Sequence, residues 1–210
     1  MKNLIVLLST SLLLTGASTV FAASSTDLTV QGLITPSACS PGLSSGVVDY
    51  GKYSAKDLKP DNWNDLGKKT LQLTIDCRAP TLLALRGIDN RGDSPDAYNG
   101  YGLGLVDELK LGMYLLSLKN AVDDGTALNV LESRNNGLTW QENYADDVWP
   151  STFLASFASS RQGDGSWAPT PVQNVTSDLI VQTMISPTAG MNMANEIPIL
   201  GSATIEVKYL

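Results

Sequence analysis

Short runs in which every second residue is apolar, each closed by Gly, Asn, Asp or Pro, recur along most of this chain. Strand side chains alternate between two faces, so such a run makes a half-buried β-strand; an amphipathic helix needs apolar residues three and four apart. Beyond the first 22 residues helical spacing is scarce. The pattern predicts an all-β sandwich.

The two strongest runs stand near the ends. In Ser25–Cys39, STDLTVQGLITPSAC, residues Leu28, Val30, Gly32 and Ile34 share one face, with Thr29, Gln31, Leu33 and Thr35 opposite. Nothing immediately before this run can pair with it as a hairpin. A free strand with an apolar face invites aggregation unless a groove is meant to receive it. The reading is that this groove belongs to another copy of the chain. The closing GSATIEVKYL sets Ala203, Ile205, Val207 and Tyr209 on one side and Thr204, Glu206 and Lys208 on the other.

Between these ends, Thr70–Cys77 is a clear strand with Leu71, Leu73, Ile75 and Cys77 on one face. Further strands are expected at Val47–Tyr50, Thr81–Ile88 (after an interruption at Pro80), Lys110–Lys119, Ser151–Ser159 and Leu179–Ile185. In Lys110–Lys119 the alternation falls on Leu111, Met113 and Leu115. Ser40–Gly46 reads as a turn or loop from its Pro, Gly and Ser content. Lys52–Lys69 reads as a connection with a helical turn near Ala55–Leu58, and 89–104 as a long loop. Asp123-Asp124-Gly125 marks a turn, and Asn135-Asn136-Gly137 a hairpin between Leu128–Ser133 and Leu138–Glu142, since Asn-Gly supports positive φ.

Met1–Ala22 is read as a secretory signal peptide: Lys2 gives the positive start, Leu4–Leu14 the apolar stretch, and Val20-Phe21-Ala22 small residues at the cleavage site. Cleavage there leaves 188 of the 210 residues, one large domain. The division is then 1–22 signal peptide, 23–35 N-terminal extension, and 36–210 sandwich domain. Without Lys2, 13 basic residues face 21 acidic ones, a balance that argues against binding nucleic acid or anionic headgroups. Cys39 and Cys77 both lie in the exported part, where an even cysteine count in an oxidising compartment implies a disulfide. Two thiols without histidine cannot complete a zinc shell, so no metal or other cofactor is expected.

Few catalytic arrangements remain. With no histidine, Ser-His-Asp and Cys-His sites are excluded. The adjacent acids Asp107/Glu108, Asp123/Asp124 and Asp146/Asp147 read as solvated turn residues and not as a glycosidase pair. Asp89-Asn90-Arg91-Gly92-Asp93 lacks the spacing of a twelve-residue calcium loop and reads as a polar turn. The expectation is that the chain is not an enzyme. Trp63, Trp140, Trp149 and Trp167, with Tyr98, Tyr101 and Tyr144, supply rings for stacking on sugars or for burial. A monomeric secreted carbohydrate- or protein-binding sandwich therefore stays open as an alternative.

In order and spacing, these features resemble the subunits of chaperone–usher pili of Gram-negative bacteria, and more narrowly a poorly characterised branch of exported fimbrial-like proteins. The resemblance rests on the signal peptide, the Leu28-x-Val30-x-Gly32-x-Ile34 strand, Cys39 a few residues later, Leu71-x-Leu73-x-Ile75-x-Cys77, and an alternating last strand with Tyr209 penultimate. It implies an incomplete immunoglobulin-like β-sandwich with a free N-terminal donor strand, polymerised head to tail by donor-strand exchange into a surface fimbrium that contributes to adhesion. Leu28, Val30, Gly32 and Ile34 become the donor residues. Ala203, Ile205, Val207, Tyr209 and the carboxylate of Leu210 become the edge that a periplasmic pilus chaperone recognises. Further implied partners are an outer-membrane usher and a host or surface receptor. Gly201 stands tenth from the end, where the family often has a glycine about fourteen from it, which shifts the register of that edge.

Overall fold

The computed structural model describes residues 38–92, 100–144 and 147–210. Their order is β1 (Cys39–Leu43), a 3₁₀ turn (Ala55–Asp57), β2 (Asn64–Thr81), β3 (Leu83–Asp89), β4 (Tyr101–Gly102), β5 (Leu105–Val106), β6 (Leu109–Lys110), β7 (Gly112–Asp123), β8 (Thr126–Ala127), β9 (Asn129–Ser133), β10 (Gln141–Glu142), β11 (Leu154–Ala158), β12 (Val172–Ile185) and β13 (Ala203–Tyr209). One sheet runs β1-β2-β12-β7-β4, with β8 on β7; a second runs β10-β9-β11-β3-β13, and β5 and β6 form a small two-stranded sheet of their own. Every pairing is antiparallel. The fold is an all-β sandwich, as the alternation predicts. The leading strand with Leu28, Val30, Gly32 and Ile34, and the signal-peptide and extension boundaries, lie outside the described residues.

The core forms where the inward rows of the two sheets meet. Leu73, Ile75, Cys77, Val175 and Leu179 come from the first sheet and Leu83, Leu85 and Phe157 from the second, all but excluded from water. At about 25 cal/mol per Å² of apolar surface, this interior supplies the main driving force for folding. Tyr101 fills the space behind β3 because Gly87 has no Cβ there; a side chain at that position would collide with the Tyr101 ring and hydroxyl.

Several local expectations change. Ser40–Gly46 is not simply a loop, since β1 runs through Pro41 and pairs Cys39–Leu43 with residues 77–73 of β2. The amide of Ser44 donates to the carbonyl of Gln72 (2.9 Å), which sets the even-numbered residues of β1 in the hydrogen-bonded pairs. The backbone nitrogen of Pro41 therefore points away from β2 on an edge strand, where its missing N–H costs the ladder nothing. Val47–Tyr50 forms no strand. The connection expected over Lys52–Lys69 ends early, because β2 already starts at Asn64. Pro80 does not break the chain; the break falls at Leu82. Pro80 is tolerated because β12 shifts register between Val172 and Asn174, so the β2 residues between Asp76 and Thr81 are left without regular partners on β12.

In β7 the core takes Tyr114, Leu116 and Leu118, and Leu115 is only half-buried. KLGMYLLSLK is apolar on both alternations, so its periodicity cannot choose a face. Both turn readings hold. Asp124 (φ 47°) and Gly125 (φ 84°) close a two-residue hairpin between β7 and β8, and Asn136 (φ 59°) and Gly137 (φ 97°) lie in the loop joining β9 to β10.

Candidate functional site

Among the described residues each of the two larger sheets has one long edge without a partner strand, and the two edges come together where Cys39 of β1 hydrogen-bonds Tyr209 of β13. The register of β13 on β3 explains what the first edge offers. Asn90 N–H donates to the carbonyl of Ser202 (3.0 Å), and Leu210 N–H to that of Leu82 (3.2 Å). In an antiparallel ladder these bonds alternate, so the even-numbered residues of β13 point their backbone groups at β3. Ala203, Ile205, Val207 and Tyr209 point theirs away. Ile205, Val207 and Tyr209 stand opposite Gly87, Leu85 and Leu83, so their side chains also face inward. Where Leu83 and Leu85 are 0–1% exposed, Ile205 and Val207 are half-buried and Tyr209 is 38% exposed.

The same arithmetic on β1 turns the backbone groups of Cys39, Pro41 and Leu43 outward, with their side chains on the inward face opposite Cys77, Ile75 and Leu73. Leu73 is 1% exposed and Leu43 41%. Two inward-facing rows thus stand at facing edges with one flank uncovered. Among the described residues, no strand pairs with the outer edge of either β1 or β13.

One end of this open side is fastened. Cys39 is bonded to Cys77 across β1 and β2, with Cα atoms 4.0 Å apart, and its outward N–H donates to the Tyr209 hydroxyl at 2.8 Å. At the other end the flanks part around a cleft of about 680 Å³. The segment Val48–Tyr53 forms one wall and Met193–Ile199 the other, with Leu66, Leu111 and Ile185 between them. The Lys52 ammonium meets the Glu196 carboxylate at 3.2 Å, joining the walls through two side chains that are both largely in water. Tyr50 anchors its wall by donating to the carbonyl of Val181 (2.9 Å), and burial pushes its phenol above the ordinary 10.0. Exposed Leu43, Val47 and Tyr53 on one flank, and Ile199, Leu200 and Tyr209 on the other, add apolar surface along the opening.

Sequence reasoning found half of this site. The row Ala203, Ile205, Val207, Tyr209 is brought together as the outermost strand. Leu210 turns the other way: its side chain, with Trp140 and Leu154, converges on Gly137. Missed were Cys39, Pro41 and Leu43 as the facing edge, because Pro and Gly in SPGL read as a turn. Also missed were the cleft walls, which carry no periodicity.

The other singled-out residues that are described fall in the core or in turns. Trp149 and Tyr101 are core residues, the Tyr101 hydroxyl donating to the carbonyl of Trp149 (3.2 Å), so neither ring can stack on a ligand. Burial pushes the Tyr101 phenol far above 10.0, with the adjacent Tyr114 adding to it; burial does the same to Tyr114. Trp140 and Trp167 bridge each other through their backbones, and Trp140 helps cover the outer face of the second sheet. Tyr98 lies outside the described residues. Asp107 and Glu108 form the tip of the β5–β6 hairpin at φ 47° and 68°. Asp123 accepts the backbone N–H groups of Gln173 and Asn174, at 3.1 and 2.7 Å. Asp89 holds its own turn by accepting from the N–H of Arg91 and, across the fold, of Gly102. Among the described residues no group of three His, Cys, Asp or Glu side chains is placed to hold a metal, and no helix is long and apolar enough to cross a membrane.

A family model described as "Protein of unknown function (DUF1120)" matches residues 28–112. That stretch starts at Leu28 and takes in both cysteines and β1 to β6. Over its whole length the chain is 28% identical to Protein GltF of Escherichia coli (strain K12), covering 98% of that protein. It is 26% identical to the uncharacterized protein YhcF of the same organism, over 90% of this chain and 92% of the relative. No solved structure matches.

Proposed function

We propose that this chain is an exported structural subunit of a bacterial surface fimbrium, an incomplete immunoglobulin-like sandwich that takes one strand from a neighbouring copy. The observation that carries the reading is the double exposure of Ala203, Ile205 and Val207. Their backbone groups and inward side chains both face an edge that nothing among the described residues covers. The facing row on β1 makes the opening a slot with two walls. An incoming strand adds main-chain hydrogen bonds along β13, and its alternate side chains enter the core between the sheets.

The segment suited to fill it is Leu28–Ile34 of a second copy. It has seven residues, as β13 does, and each is about 23 Å long when extended. Leu28, Val30 and Ile34 are the inserted side chains, and Gly32 lies where space is shallow. At about 1.5–3 kcal/mol per large apolar side chain, three contribute roughly 5–9 kcal/mol before the ladder is counted. Because donor and slot are different surfaces, the contact is head-to-tail and generates an open filament. Before assembly the same edge suits a periplasmic chaperone that lends a strand, and an outer-membrane usher that orders the exchange.

Deleting Ser25–Thr35 is expected to abolish a heat-labile ladder of oligomers on a denaturing gel while the domain still folds with its chaperone. Gly32→Trp should block the ladder in the same way. A ladder unchanged in both variants overturns the reading.

A further inference from the structure

The loop between β9 and β10 lies over the outer face of the last strand and carries an Asn-Gly dipeptide in an unusual setting. Asn136 is exposed and left-handed (φ 59°), and Gly137 follows at φ 97°. The side-chain carbonyl oxygen of Asn136 accepts two cationic donors, the Lys208 ammonium at 2.9 Å and the Arg86 guanidinium at 3.1 Å. Lys208 belongs to β13 and Arg86 to β3, where Glu206 is its cross-strand neighbour. On the other side, the Gly137 N–H donates to the Ser133 hydroxyl at 2.9 Å. That hydroxyl in turn donates to the side-chain carbonyl of Asn135 at 2.9 Å.

We propose that Asn136 is a built-in site of spontaneous deamidation, in which Lys208 and Arg86 form an oxyanion cradle for attack by the Gly137 backbone nitrogen. Two positive donors on the amide oxygen polarise its carbon and stabilise the negative charge that develops there during attack. Glycine supplies the least hindered backbone nucleophile; the Ser133 hydroxyl oxygen accepts from its N–H and holds the group in place, and solvent carries the proton from the Gly137 nitrogen to the departing Nδ2. The Gly137 N–Cγ bond forms. The Cγ–Nδ2 bond breaks, and ammonia leaves with the proton given up by Gly137. Solvent water then opens the cyclic imide at either carbonyl, leaving aspartate or isoaspartate at position 136. The aspartate product puts a carboxylate between Arg86 and Lys208, turning cation-to-amide hydrogen bonds into ion pairs, each worth at most about 1 kcal/mol at this exposed position. Where the imide opens to aspartate the loop's hold on the terminal strand tightens; where it opens to isoaspartate the extra backbone carbon alters the turn. All of this follows from the loop and its contacts with β3 and β13, whatever fills the open side.

The test incubates the full-length chain, folded and in urea, and follows position 136 by peptide mass mapping and isoaspartyl methyltransferase labelling. Conversion in the folded chain is expected. Arg86→Gln with Lys208→Gln should slow it about tenfold, less than a lost donor costs in a water-excluded site because this one is open to solvent. The same pair should leave the rate in urea unchanged. Lys208→Arg, which keeps a cationic donor, should retain most of the rate, and circular dichroism checks that each variant is folded. No conversion at position 136 in the folded chain, an unaltered rate in the double variant, or equal slowing in urea would each overturn the proposal.

Discussion

The two edges of the five-stranded sheet are built in opposite ways. At one edge β10 is two residues long and ringed by side chains. Gln141 donates to the buried carboxylate of Glu132 (2.6 Å), as do Arg134 (2.8 Å) and Asn143 (3.0 Å). Glu142 meets Arg161 at 3.4 Å, and Arg161 lies over the Trp167 ring at 4.7 Å. Short length and paired charges are how β-proteins keep an edge from recruiting another chain. At the other edge β13 is seven residues long, apolar on its inward face, and unpaired on its outer side among the described residues. The six-stranded sheet repeats the contrast, with two-residue β4 and β8 away from the open side and β1 upon it. Among the described residues the sheet edges are blunted except on the side where β1 and β13 face each other.

The largest test of this contrast concerns the flank that β1 provides. Replacing both Cys39 and Cys77 by serine should lower unfolding free energy by about 4 kcal/mol, the chain-entropy value for a separation of 38 residues. Urea denaturation of the oxidised chain and the double variant measures it. A loss under about 1 kcal/mol would mean that β1 is held by its ladder and not by the bond.

A smaller effect compares one cross-strand pair. Leu85→Ala, fully buried, should cost about 3 kcal/mol. Val207→Ala, directly opposite but half-buried, should cost about 1 kcal/mol in the isolated subunit. Once an added strand covers β13, the Val207 penalty should rise toward that of Leu85. Equal penalties in the isolated subunit would show that the slot is already filled.

The smallest effect is expected at the blunted edge. Arg161→Ala removes a partly exposed ion pair and a ring contact, and should cost no more than about 1 kcal/mol. Its use is as a control, since thermal melting should shift little and oligomer yield not at all. If oligomers are lost instead, the assembly surface lies at β10 and not at β13.

Much of the sandwich is legible in sequence because period-two alternation is a local property. TLQLTIDC and GSATIEVKYL announce strands, the inward face of each, and the face that carries Cys77. The hairpin turns at Asp124-Gly125 and Asn136-Gly137 are legible for the same reason, since positive φ favours few residue types. Where apolar residues occupy both alternations, as in KLGMYLLSLK, the local signal is silent, and packing chooses Tyr114, Leu116 and Leu118.

What the amino acids determined alone is the all-β class, the one pairing that two cysteines allow, and the identity of the row Ala203, Ile205, Val207, Tyr209. Only the tertiary structure decided that this row is an edge, that Cys39, Pro41 and Leu43 face it, and that Leu210 turns toward Trp140. Strand order is a long-range choice: β13 finds β3 more than a hundred residues away, and nothing local to either records which neighbour the other side will lack.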